Sequence, residues 1–184
     1  MSLRVMAFGI SGIDNVSPPM SDSAANSSVE PCEIWREPVP FLAFGFGSGL
    51  APRAPGTCGT LVAIPLAWWL TSLPVGAYAG VVLAAFTIGI AICGHTTRRL
   101  GVADHPAIVW DEIVGYLAAL LWLPPTWWVF AAAFVLFRIF DIAKPWPIGV
   151  ADRRLKGGFG IMADDLLAAV YVNLILQVAV GYFR

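Results

Sequence analysis

The sequence predicts an all-α integral membrane bundle of about five helices, including two short hairpin arms. Three observations carry that prediction. Hydrophobic residues make up 58% of the 184 residues and charged residues only 12%, with a mean hydropathy of +0.75, outside the range of soluble domains. No charged residue occurs from Thr57 to Thr97, a run split by Pro74 and Gly76. A second uncharged run, between Glu112 and Arg138, is split at Pro124-Pro125. Each run reads as a helical hairpin.

Residues 1 to about 40 are rich in Ser, Asn, Pro and acidic side chains and lack apolar periodicity, so they read as a mobile polar extension outside the fold. Their start, MSLRVMAFGI, carries one Arg and an apolar stretch broken by Gly9, which does not make a signal peptide. The membrane-embedded domain is expected over residues 41–184. Its first hairpin covers roughly residues 57–73 and 76–93, and its second roughly 107–123 and 127–144. At 1.5 Å per residue the first arm reaches only about 24 Å against a hydrocarbon thickness of ~30 Å, which places its charged end near an interface. The uncharged segment 166–183 is long enough to span and makes the fifth helix.

If these helices alternate, Arg4, Arg36, Arg53, Arg98, Arg99, Arg138, Lys144, Arg153, Arg154 and Lys156 share one side, and only Arg184 falls on the other. The positive-inside rule makes the basic side cytoplasmic. Trp68, Trp69, Trp122, Trp127 and Trp128 then form an aromatic belt at the outer interface. A net charge of −1 argues against nucleic acid as a partner, because backbone binding needs excess Lys and Arg. Three scattered cysteines and two histidines exclude a disulfide framework and a multi-His metal site. No feature of the sequence specifies an oligomeric state.

Every acidic residue beyond the extension falls on the basic side: Asp104, Asp111, Glu112, Asp141, Asp152, Asp164 and Asp165. Carboxylates amid apolar sequence are costly unless paired or metal-bound. Asp111-Glu112 points two carboxylates about 100° apart on one helix, and Gly115 a turn later admits a neighbouring helix. Asp164-Asp165 follows a glycine-rich turn and opens the last span. Two acidic pairs at one face make a hard-oxygen site of the kind Mg2+ takes together with phosphate oxygens; the bland alternatives are a water-facing pair and a charge complementing a helix dipole.

Arg138, Asp141 and Lys144 are spaced i, i+3 as a salt-bridge ladder, or as a metal ligand flanked by two phosphate-binding cations. The segment FGFGSGLAPRAPGTCGTL places Arg53, Thr57 and Thr60 among glycines that permit close approach of an anion, although an isolated glycine-rich loop is more often only a turn. Cys93 and Arg99 have the C-x5-R spacing of thiolate phosphatases, but Cys93 ends a spanning helix and reads as a packing residue. A transporter or channel using the acidic cluster is the competing function; the uncharged hearts of the spans offer it no polar path.

Taken together and in this order, PRAPGTCGTLVAIP, HPAIVWDEIVG, FRIFDIAKPWPI and GGFGIMADDLLA resemble the characteristic segments of the phosphatidylglycerophosphatase A family, from about Phe41 to the C-terminus. The resemblance implies a multi-pass, Mg2+-dependent phosphatase of the bacterial cytoplasmic membrane, whose phospholipid substrate loses its terminal phosphate to give phosphatidylglycerol. The expected metal ligands are Asp111, Glu112, Asp141, Asp164 and Asp165. Arg53, Thr57, Thr60, Arg138 and Lys144 are expected to bind the substrate phosphate, and Glu112 and Asp165 to be catalytic, Glu112 orienting or deprotonating the attacking water. Direct attack by water and an aspartyl-phosphate intermediate both stay open, the absent D-x-D-x-T signature weighing against the second.

Overall fold

The computed structural model describes residues 31–103 and 105–182. Residues 1–30, Asp104 and residues 183–184 lie outside them, and with them most of the expected polar extension, Arg4 and Arg184. Every regular element among the described residues is helical. Two short helices, α1 (Pro31–Ile34) and α2 (Pro38–Ala43), and a 3-10 segment at Gly45–Leu50 lead to α3 (Pro55–Leu70) and α4 (Val75–Leu100). Then follow α5 (Trp110–Ala119), α6 (Trp127–Ala143), α7 (Ile148–Arg154) and α8 (Gly157–Tyr182).

α4 and α8 have 26 residues each and are long and apolar enough to cross a membrane; at 1.5 Å per residue each reaches about 39 Å. The helices present apolar side chains outward, including Leu83 and Ile88 on α4, Val135, Ile139 and Ile142 on α6, and Leu174 and Val178 on α8. An exterior of this kind is solvated by lipid, not by water. The chain is an all-helical membrane protein. Trp68, Trp69, Trp122 and Trp127 are exposed where α3 ends and α6 begins, and Trp128 is half-buried there, where an interfacial belt requires them.

The helices are more numerous than five, and their limits differ from expectation in three places. Residues 31–40 are not wholly extension: Ile34 is buried in the core, Trp35 lies 6.4 Å ring to ring from Phe41, and Glu37 ion-pairs with Arg99 at 2.6 Å. These contacts give α1 and α2 the apolar anchors that the polar composition concealed.

The expected arm at residues 107–123 is a helix of only ten residues, α5, about 15 Å long. It cannot span and is enclosed by α3, α4, α6 and α8. A helix that ends inside an apolar bundle leaves carbonyls that water cannot reach. Two side chains satisfy them: the Tyr78 hydroxyl donates to the Leu117 carbonyl (3.0 Å), and the Asn173 amide donates to the carbonyls of Ala119 (3.0 Å) and Leu121 (2.7 Å).

The last helix begins at Gly157, nine residues before the expected start at residue 166. The glycine-rich segment is therefore not a turn. A Cβ on Gly158 would collide with the Ile90 carbonyl and crowd the Gly94 amide of α4, so glycine here lets two spanning helices touch backbone to backbone. The extension carries Asp164 and Asp165 two turns into α8.

Asn173→Leu preserves side-chain size but strands two buried carbonyls. We expect a loss of about 1–3 kcal/mol, read as a lowered midpoint of thermal unfolding in detergent micelles by circular dichroism. An unchanged midpoint would show that α5 does not depend on this cap.

Candidate active site

α5 and α8 form the widest helix contact of the bundle, and Gly115 makes it possible: a Cβ there would meet the Phe137 ring of α6 and the Cβ of Asp165. The Asp111-Glu112 pair in the first turn of α5 thereby meets Asp165 on α8. One carboxylate oxygen from each of Asp111, Glu112 and Asp165 lies within 4.8 Å of the other two. Asp165 is buried, and its Oδ2, like Oε2 of Glu112, has no hydrogen-bond partner among the described residues. Buried carboxylate oxygens are not left bare without reason. Three hard oxygen donors converging on one point fit a divalent cation such as Mg2+.

The other two expected ligands are engaged differently. Asp141 holds Arg138, Nη1 to Oδ2 at 2.6 Å, and the same guanidinium nitrogen stands 3.8 Å from Oε1 of Glu112. The ion pair is close but poorly directed, since Nη1 and Nε of Arg138 make no aligned hydrogen bond. Asp164 accepts from Lys144 Nζ at 2.7 Å. Lys144 also donates to Asp152 at 2.6 Å, and so belongs to this triple and not to a continuous Arg138–Asp141–Lys144 ladder. Burial opposes the charge on Lys144, but the hydrogen bonds to Asp152 and Asp164 outweigh it and raise the ammonium above its usual pKa. The five acidic residues thus divide into a triad facing one another and two that orient cations.

A cavity of about 350 Å3 opens over these groups. Six carboxylates line it, those of Asp111, Glu112, Asp141, Asp152, Asp164 and Asp165, against the two lysines Lys144 and Lys156, with Arg138 behind Glu112 and Asp141. The excess of negative charge is what a bound cation would balance. His105 also lines the cavity and accepts the Ala107 amide at Nδ1 (3.1 Å). Asp152, Lys156 and His105 were not among the expected site residues. Only the clustering of Asp152 and Lys156 with the basic residues after Pro147 hinted at two of them, and a lone His before Pro106 gives no signal.

The glycine-rich segment contributes mainly by packing. Gly45 and Gly59 rest on Val109, and Gly49 on the Ala107 carbonyl, so these glycines hold the strand of chain that launches α5. Gly56 alone abuts the charged groups, since a Cβ there would strike Glu112 Oε1 and both terminal nitrogens of Arg138. The Thr60 hydroxyl is buried and donates to the Gly56 carbonyl of its own helix (2.9 Å), which occupies its one hydrogen. Thr57 is half-buried beside Arg138, and Arg53 is exposed on the loop. Cys93 is buried next to Met162, far from an open anion loop.

A profile of the family described as phosphatidylglycerophosphatase A matches residues 41–180, from α2 almost to the end of α8. The chain belongs to the phosphatidylglycerophosphatase A family. It is 45% identical over 153 residues to phosphatidylglycerophosphatase A of Escherichia coli strain K12, covering 83% of this chain and 87% of that protein. The namesake of Haemophilus influenzae is 46% identical over 142 residues, covering 76% and 86%. A Bacteroides thetaiotaomicron relative, provisionally named a phosphatidylinositol-3-phosphatase, is 38% identical over 146 residues, covering 75% and 91%. No solved structure matches the chain. The family match spans all the cavity's acidic residues.

Because the Arg138 side chain is only 15% exposed, Arg138→Leu leaves Glu112 and Asp141 facing each other without their cation. The expected cost is roughly 3–5 kcal/mol, and Arg138→Leu with Asp141→Leu should recover a substantial part of it. With Asp141→Leu measured as well, losses that simply add in the double variant, by thermal or chemical unfolding in detergent, would mean the pair is not coupled.

Proposed function

We propose that the protein is a Mg2+-dependent lipid phosphatase that hydrolyses phosphatidylglycerophosphate to phosphatidylglycerol and phosphate, at the cytoplasmic face of the bacterial inner membrane. The observation that carries this reading is the Asp111–Glu112–Asp165 triad, open to a cavity at one end of an apolar bundle in a chain whose relatives from two bacteria bear that enzyme's name. A headgroup phosphate attached to a lipid must be met at such a place: near enough to the bilayer for the tails to stay in lipid, and open enough for water.

Asp111, Glu112 and Asp165 would hold Mg2+, which when bound supplies charge neutralisation for the phosphate and acidifies a coordinated water. Glu112, standing between the triad and Arg138, is the carboxylate best placed to orient the attacking water. Asp165, buried and unable to turn toward solvent, fixes the depth at which the phosphorus must sit. Arg138 contacts the phosphate as a fork of donors, steadied by Asp141. Lys144, charged and held by Asp152 and Asp164, sets the potential of the cavity and offers its third ammonium hydrogen to a phosphate oxygen. Arg53, exposed on the loop before α3, and Thr57, half-buried beside Arg138, would add donors for the phosphate. Beyond Asp165 the buried neighbours on α5 and α8 are Tyr116, Leu117, Ala168, Ala169 and Val172, an apolar floor suited to a one-sided cavity.

The side of the membrane follows from charge. Arg98 and Arg99 end α4, and Arg153 and Arg154 end α7, while Lys156 lines the cavity; basic residues of this density favour the cytoplasm. The domain that acts is residues 41–184, with α1 packing Ile34 into its core.

Purified protein in detergent micelles should release phosphate from phosphatidylglycerophosphate with Mg2+ and lose that activity with chelator. Asp165→Asn and Glu112→Gln should each lower kcat by about 100-fold or more while keeping the helical circular dichroism, and Asp165→Asn should weaken Mn2+ binding measured by electron paramagnetic resonance. No release by folded wild-type protein with any divalent ion would sink the phosphatase reading. Faster release from phosphatidylinositol 3-phosphate would keep the chemistry and change the substrate.

A further inference from the structure

Resting on the lipid-phosphatase reading, we propose that the membrane-facing groove between α3 and α6 is the subsite that seats the acyl and glycerol part of the lipid substrate, with Arg138 as the partition between tail and phosphate. The groove has a volume of about 500 Å3 and is lined by Phe134, Val135, Ile139 and Ile142, with Thr57 and Arg138 as its polar residues. That volume lies within the range of about 300–1,000 Å3 common for ligand sites.

Three observations distinguish it from ordinary lipid-facing surface. The first is its floor. α3 and α6 come together at one end through Trp68 and Phe130, 5.5 Å between ring centroids, and at the other through Gly56 against Arg138; the groove lies at the Arg138 end of this pair. The second is its charge. Arg138 is a groove residue whose guanidinium also faces Glu112 and Asp141 of the polar cavity, so one cation belongs to both spaces. Asp141 holds Nη1 of the guanidinium at 2.6 Å, which fixes a positive charge at the head of the groove, where an anionic oxygen is attracted. The third is periodicity. Val135, Ile139 and Ile142 follow one another at helical spacing on one face of α6 and are all more than half exposed, giving a continuous apolar track beside the arginine.

The occupant these features fit is a diacyl phospholipid that carries an internal phosphodiester and a terminal phosphomonoester. Its chains lie along the Val135 side of the groove and its phosphodiester on the groove side of Arg138. The terminal phosphate lies on the triad side of the same guanidinium, which it contacts as in the proposed function. A lipid without net negative charge fits the apolar track but gives the guanidinium no anionic partner, so the headgroup charge should decide residence.

The test is photolabelling in phosphatidylcholine nanodiscs with full-length protein and Mg2+. The probe is a phosphatidylglycerophosphate analogue with a non-hydrolysable phosphonate terminus and a mid-chain diazirine. Adducts should fall on the α6 groove face at least tenfold above those on Leu83 and Ile88 of α4, and excess unlabelled phosphatidylglycerophosphate, but not phosphatidylcholine, should displace them. Val135→Trp with Ile139→Trp should abolish these adducts and raise KM for a dioleoyl substrate at least tenfold more than for a dihexanoyl one. Equal labelling of α4 and α6, labelling that phosphatidylglycerophosphate fails to displace, or an equal KM effect on both chain lengths would overturn the groove. Wild-type release of phosphate from the dihexanoyl substrate, measured in parallel, separates that failure from failure of the phosphatase reading itself.

Discussion

A cluster of carboxylates at the meeting of α5 and α8 is the constraint on which the structure turns. Carboxylates in an apolar bundle are tolerated only when something balances them, and the bundle supplies part of that balance internally. Arg138 answers Asp141 and Glu112, and Lys144 answers Asp152 and Asp164. The triad of Asp111, Glu112 and Asp165 carries more negative charge than Arg138 alone offsets, and it is brought close because Gly115 lets α6 and α8 approach α5 together. In the proposed function a bound cation would balance this charge, since the carboxylates alone would repel a phosphate ester.

The helical limits follow from the same requirement. To place Asp165 opposite Asp111-Glu112, α8 must run two turns before its acidic pair, and only glycine at 158 lets those turns lie against the backbone of α4. To keep the pair on α5 near the interface, that helix must be short, and a short buried helix needs side chains to close its carbonyl end. Tyr78 and Asn173 do so from α4 and α8. Two polar residues in spanning helices, unremarkable by composition, are thus what permit a ten-residue helix to end inside the bundle.

Much of this was legible in the residues. Pro74 and Pro124-Pro125 mark the hairpin tips, uncharged runs mark α3, α4 and α6, and the acidic pairs mark the carboxylate cluster, because each is a local property of the chain. Most of the misreadings share a cause. Gly157, Gly158 and Gly160 read as a turn when nothing is known of α4, and become helical contacts once Ile90 is their neighbour. Lys144 reads as a rung above Asp141 from spacing alone, whereas Asp152 and Asp164 reach it from elements that follow Pro145 and Pro147. Thr60 reads as a ligand until its hydroxyl is seen to bond its own helix, and the role of Asn173 depends on carbonyls more than fifty residues away. Long-range partners decide the glycines, Lys144 and Asn173, whereas Thr60 is decided within its own helix.

Arg138 joins these strands of argument. Its position three residues before Asp141 is visible in the sequence, but not that Gly56 leaves room for its guanidinium at the start of α3, nor that its stem borders an apolar groove. An arginine suits this boundary better than a lysine would: its stem packs against hydrocarbon while its planar head divides donors between two directions. A soluble phosphatase has no need of such a residue, since its substrate arrives from water on one side. A substrate anchored in the bilayer must cross from lipid to a polar cavity without leaving either, and a fixed cation standing between the two spaces is a minimal means of holding it there.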